Sequence, residues 1–212
     1  MLRKPGLQSK NHQTTETSPD VSSLITILNY FHPVSEDVVK FFKDHAYPVF
    51  FDKGELLLEA GQVCEHIYFI KKGVVRGFIK EGKRDITTWI TAEGEMVSSI
   101  LTFEGRGSAI ENIQAIEDCE MLALKLADLE KLYEQIPEFN IVSRKLLQQY
   151  YSDAEGRAFI ARLTNAETKY KQFLIRYSYF ANRVPLTYIA SFLGITLETL
   201  SRVRRKLSTK KI

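Results

Sequence analysis

The sequence predicts an α+β fold: an N-terminal antiparallel β-roll of the jelly-roll kind, a long helix, and a C-terminal helix-turn-helix. Three observations carry this. Between Val49 and Leu126, short apolar runs such as Leu56-Leu57-Leu58, Ile67-Tyr68-Phe69-Ile70 and Met121 to Leu124 alternate with turn signals such as Lys53-Gly54-Glu55, Lys72-Gly73, Glu81-Gly82-Lys83 and Glu93-Gly94-Glu95. Many short strands at near-regular spacing read as a sandwich or barrel. From Pro137 to Leu163 no further proline interrupts the chain. Between Val184 and Leu207 two helical periodicities meet at a single glycine, Gly194.

The elements follow in order. Residues 1–20 are polar and rich in Ser, Thr and Gln, as in a mobile arm. Residues 21–136 form the first domain. It opens with two helical spacings, Leu24, Ile27, Leu28 and Phe31, then Val38, Val39, Phe41 and Phe42, before the strands begin. A short helix from Asp128 to Tyr133 is halted before Pro137. Residues 137–163 are predicted as one helix about 40 Å long. Its apolar residues Phe139, Val142, Leu146, Tyr150, Phe159 and Leu163 follow a 3–4 spacing, loosened around Gly156. One stripe on so long a helix predicts pairing with a second copy, hence a homodimer, rather than packing on its own sheet alone. Asn165 is a good N-cap for the next helix, through Ile175, which opens the last domain, residues 164–212.

That domain is the most informative. In its first helix Leu186, Ile189, Ala190 and Leu193 make the inner face, and Ala190 is small where two helices approach. Gly194 supplies a left-handed turn. Thr196 can cap the second helix, and Glu198 suits its positive end. Leu200, Val203 and Leu207 repeat at i, i+3 and i+7 and form the buried face. Helical geometry leaves Leu197, Glu198, Ser201, Arg202 and Arg205 outside, on the face a recognition helix presents to the major groove of double-stranded DNA. An acid can accept from cytosine N4, and an arginine can grip guanine O6 and N7. Thr196, Leu197, Thr199, Arg204, Arg205, Lys206, Lys210 and Lys211 suit other groove contacts or phosphates. Charge agrees. From Thr164 to Ile212 ten Lys and Arg face two acids, +8, whereas the rest of the chain has 19 bases and 24 acids, −5. A basic end on an acidic body points to a polyanionic partner.

These residues resemble the Crp/Fnr family of bacterial transcription regulators. Glu198-Thr199-Leu200-Ser201-Arg202 is similar to the core of the family's recognition helix. Phe51-Asp52-Lys53-Gly54-Glu55, Gly61, and Ile67 to Arg76 are similar to the opening of its cyclic-nucleotide-binding β-roll. The resemblance implies that Glu198, Ser201 and Arg202 read bases, that the homodimer binds a pseudo-palindromic operator, and that RNA polymerase is a partner. Leu197 stands where the cyclic-AMP receptor branch has another base-reading arginine, so the Glu…Ser-Arg set is closer to the oxygen-responsive branch. The family's β-hairpin wing after the recognition helix is not expected here.

The resemblance also bears on the effector, whose identity the sequence does not give. Gly94-Glu95 resembles the Gly-Glu pair whose acid holds the ribose. Counting back from Ala115-Ile116 puts Ala109-Ile110, beside Ser108 and followed by Glu111, where the family has the Arg-Ser pair that binds the cyclic phosphate. Arg106, three residues early, is the one nearby cation that could replace it. Glu155 falls where the family's helix meets the base. An anion site needs a cation and here gains an acid, so cyclic AMP is not expected to bind.

Other classes fare worse. No apolar run reaches the roughly 20 residues a bilayer span needs, and Met1 to Asp20 lacks a signal-peptide core, so no membrane partner and a cytoplasmic location are expected. Cys64 and Cys119 are too few and too far apart for an iron–sulfur or zinc site and read as reduced, buried residues. No cofactor and no catalytic residue is expected. A cupin-like metal enzyme would gather two or three His and a carboxylate on facing strands, yet His12, His32, His45 and His66 are dispersed. A protein-interaction module with a non-specific basic tail is the remaining alternative.

Overall fold

The computed structural model describes residues 18–99 and 107–209. Two helices, α1 (Ser22–Phe31) and α2 (Glu36–His45), lead into eight strands: β1 (Tyr47–Phe51), β2 (Leu56–Leu58), β3 (His66–Lys72), β4 (Val75–Glu81), β5 (Arg84–Thr91), β6 (Met96–Val97), β7 (Asn112–Ala115) and β8 (Cys119–Lys125). They pair antiparallel in two four-stranded sheets, ordered β1-β8-β3-β6 and β2-β7-β4-β5. Helices α3 (Leu126–Gln135), α4 (Phe139–Arg162), α5 (Ala166–Tyr177), α6 (Leu186–Leu193) and α7 (Leu197–Thr209) follow.

Strand β8 shows why its residues read as a continuous apolar run. Successive side chains point to opposite faces. Cys119 and Met121 enter the roll interior with Ile70, Val75, Val97 and Ile113. Leu122 and Leu124 face outward onto a second core made with Leu24, Leu28, Val38, Phe42, Leu129 and Phe139. A strand covered on both faces has no polar alternation to show.

On the long helix, part of the expected stripe packs within the chain. Phe139, Val142 and Leu146, expected to pair with a second copy, are buried in their own chain's second core, and Tyr150 packs beside them. Its hydroxyl accepts the Met96 amide at 2.9 Å. Phe159, from the same expected stripe, stays exposed. Gly156 is where the Arg176 side chain of α5 lies against α4, a place a Cβ would fill. A different stripe stays exposed: Leu147, Tyr151, Ala154, Ala158 and Ala161, spaced four, three, four, three. Beside it runs a groove lined by Tyr133, Asn140, Ser143, Arg144 and Gln148.

The last domain docks on the second sheet. Val74, Ile90, Ala92 and Ile116 of the roll share a core with Phe173, Phe180, Val184 and Ile189. Ser191 of α6 accepts the Thr87 amide and donates to the Asp85 carbonyl, both at 2.9 Å, closing the free edge of β5. Arg76 is 2% exposed. It bonds Asp85 at 2.8 Å and Gln114 at 2.9 Å, with its guanidinium between the rings of Phe78 and Tyr188. Arg183 clamps the junction, gripping Glu93 at 2.6 and 2.9 Å and also Glu117. Burial alone raises Glu93, but bonds from Arg183 and the Gly73 amide outweigh it and hold its carboxyl at about 2.

The clamp is partly exposed, so Arg183→Ala is expected to cost about 1 kcal/mol rather than the larger value of a buried pair. Amide exchange at Gly73, whose N–H donates to Glu93 at 2.8 Å, reports it: faster exchange is expected, and unchanged exchange would contradict the clamp. A carboxylate with a depressed pKa stabilises above its ordinary 4.5, and this part of the docking is lost as pH falls through about 2.

Candidate nucleic-acid interface

Helix α5 is the platform. Asn165 caps it by accepting the Thr168 amide at 3.0 Å. Tyr170 and Phe173 face a core shared with Ile189, Ala190, Leu193, Leu200 and Val203, so α5, α6 and α7 enclose one apolar centre. Gly194 ends α6 at φ 61° and ψ 40°, in the left-handed region. Its amide and that of Ile195 bond back to carbonyls of α6. This is the turn the sequence predicts, and the second helix leaves it at a fixed angle.

On α7, burial of Leu200 and Val203 fixes the rotation about the axis. Leu197, Glu198, Ser201, Arg202, Arg205 and Lys206 are exposed, and Thr199 and Arg204 are half-buried. Lys210 and Lys211 lie outside the described residues, as does Arg106. Thr196 caps the helix, accepting the Thr199 amide at 3.2 Å. Glu198 lies below the usual carboxylate range because of its own backbone amide, then the Thr196 hydroxyl and the Arg202 charge. Arg202 donates to the Thr199 hydroxyl at 3.3 Å. The face therefore offers an ionised acceptor and, one turn on, a cation, both toward solvent. That pair can accept from one base and donate to another.

Some of the basic charge is not free for DNA. Lys206 pairs with Glu167 at 2.7 Å, and Lys171 pairs with the same carboxylate at 2.8 Å. Arg183 is spent on the roll, and Lys169 is buried. Sequence reasoning counted all four as tail charge. No local signal separates them, because apart from the Lys171–Glu167 pair, one helical turn apart, each partner is far along the chain.

The residues expected around an effector that lie among the described residues each have their own setting. Gly94 donates its amide to Ile70 at 2.9 Å. Burial pushes Glu95 up, its acidity further opposed by Asp153, while its carboxyl hydrogen-bonds the Tyr150 hydroxyl of α4. Glu111 instead accepts from Thr88 and from the Trp89 indole, each at 3.0 Å. Ala109 is buried, Ser108 and Ile110 are exposed, and Glu155 is exposed on α4 beside Tyr151. Tyr150 was missed as the partner of Glu95; it stood in the stripe assigned to the dimer.

Comparison with known proteins agrees with this architecture. Residues 48–136 match the cyclic nucleotide-binding domain family. The transcriptional regulatory protein Btr of Bordetella pertussis is 21% identical over 164 residues, covering 72% of this chain and 67% of Btr. Among solved structures, FixK2 of Bradyrhizobium japonicum superposes with a TM-score of 0.68 at 23% identity, covering 79% of this chain and 86% of FixK2. A Eubacterium rectale structure assigned to the Crp/Fnr family gives 0.64 at 16% identity, covering 84% and 85%. Such distant likenesses establish the fold, a cyclic nucleotide-binding domain joined by a long helix to a helix-turn-helix, which is the fold of these regulators' structures as well.

Proposed function

We propose that the chain is a sequence-specific DNA-binding transcription regulator, acting as a homodimer on a pseudo-palindromic operator. The observation that carries the reading is the exposed face of α7, where Glu198, Ser201 and Arg202 stand clear of a core that fixes their orientation. The Btr likeness supports it. Dimerisation rests on the apolar stripe Leu147, Tyr151, Ala154, Ala158 and Ala161 left open on α4. RNA polymerase is the proposed protein partner, and the cytoplasm, where both it and the chromosome are met, is the proposed location. Selection of bound duplexes from a random DNA pool tests the reading. Enrichment of a two-fold symmetric motif, with half-sites about 34 Å apart, is expected. Binding without an enriched motif would favour the non-specific basic-tail alternative.

The effector is proposed not to be cyclic AMP. Ala109 is buried, and the carboxylate of Glu111 is held by Thr88 and Trp89 in the segment where a cyclic phosphate would sit. A buried phosphate without a cation bears several kcal/mol of desolvation. Cyclic AMP and cyclic GMP are each expected to leave operator affinity unchanged. Calorimetric titration checks this: a micromolar dissociation constant with a matching rise in operator affinity would show that Arg106 or a backbone nest supplies the missing charge.

A further inference from the structure

Among the described residues of the last domain, Lys169 is the one buried charged side chain, and its charge has no place in the reading so far. It is 7% exposed, on α5, next in sequence to the core residue Tyr170. Among the described residues no carboxylate lies within ion-pair distance of its ammonium. Such a group is costly to bury unless something specific receives it. Its Nζ donates to the Leu193 carbonyl at 2.8 Å, 24 residues away. Leu193 is the last residue of α6, and its carbonyl is one of the helix-terminal acceptors that the chain itself leaves open. The Ala190 and Ser191 carbonyls are already taken by the Gly194 and Ile195 amides. A cation at this end also meets the negative pole of the helix. A Cβ on Gly194 would stand 3.7 Å from Nζ, so the ammonium lies directly against the turn that launches α7.

We infer that Lys169 is a positioning residue for the recognition helix. It ties the supporting helix α5 to the turn between α6 and α7 and thereby fixes the angle at which α7 is presented. The inference rests on the reading of α7 as the base-contacting helix. Base readout by a short bidentate pair tolerates only about 10–20° of error in the elements that carry it. A loosened turn therefore costs sequence discrimination before it costs general attraction to DNA, which the exposed cations supply at longer range.

The test measures the full-length protein on its selected operator and on a scrambled duplex, by fluorescence anisotropy over a series of salt concentrations. For Lys169→Met the operator-to-scrambled affinity ratio is expected to fall by about tenfold, within the range one bidentate base contact supplies. Affinity for the scrambled duplex and the salt slope are expected to stay as in the wild type. Lys169→Arg, which keeps a cationic donor, is expected to restore most of the ratio. A lower melting temperature with an unchanged ratio would overturn the inference and leave Lys169 a purely structural group. A uniform loss on both duplexes, with the salt slope smaller by about one contact, would overturn it in favour of a phosphate contact. If Lys169→Met does not fold, Lys169→Gln keeps a polar amide in the site but falls short of the carbonyl, and the same two outcomes decide. A wild-type protein without discrimination would overturn the DNA reading itself and this inference with it, a result distinct from either variant outcome.

Discussion

Replacing Leu147 and Tyr151 together by aspartate is expected to yield a monomer and to lower operator affinity by about 10²–10⁴-fold, the gain that linking two half-site contacts provides. Leu147 is 61% exposed and Tyr151 68%, so within one chain the change removes no core contact and the fold should persist. Between two chains it matters. Residues 147, 151, 154, 158 and 161 recur at the 4–3 spacing of a two-helix seam. Its second half is all alanine, which allows two backbones to approach closely. Carboxylates at the first two positions would face their own copies across the two-fold axis, and like charges held together in a desolvated seam are costly. Sedimentation at micromolar concentration gives the mass, and anisotropy the affinity. A variant that remained dimeric would move the interface elsewhere, with the groove between α3 and α4 as the next surface to examine.

The two faces of α4 show what this sequence makes legible. The strands were readable because each apolar run is closed by a turn signal such as Lys72-Gly73 or Glu81-Gly82. The helix-turn-helix was readable because Gly194, Ala190 and Leu200 are each dictated by local geometry. On α4 the apolar periodicity at its start marks Phe139, Val142 and Leu146, and those serve the chain's own core. The alanine-rich stripe proposed as the seam carries little hydrophobic signal although its spacing is regular. The partners of Arg183 and Lys169 could not be read at all, because Glu93, Glu117 and the Leu193 carbonyl come near only through the fold. The partners of the expected effector residues are likewise set by the fold. Counting along the chain puts Glu95 and Glu111 in one cassette, yet Glu95 turns to Tyr150 on α4 and Glu111 to Trp89 on β5.

Arg202→Ala is expected to lower discrimination between the operator and a single-base variant by about 1–3 kcal/mol, roughly 5- to 150-fold, at one base pair in each half-site. Arg202 is exposed, and among the described residues the one hydrogen bond its side chain donates is to Thr199. Its removal therefore leaves no buried group unsatisfied, and stability should change little. What is lost is the donor pair that a guanine O6 and N7 would accept. Glu198 should remain ionised, because its own backbone amide is the largest cause of its low pKa and Arg202 a smaller one. The two side chains still sit one helical turn apart, so Glu198→Ala and Arg202→Ala together should cost less than the sum of the single changes. Lys210→Ala is the control. As a proposed phosphate contact it should weaken every sequence alike and reduce the salt slope by about 0.9. Affinities for the operator, each single-base variant and a scrambled duplex, measured at three salt concentrations, separate the two behaviours. If Arg202→Ala lost affinity uniformly while its preference at every base pair held, Arg202 would be a phosphate contact, and base reading on this face would fall to Glu198 and Ser201 alone.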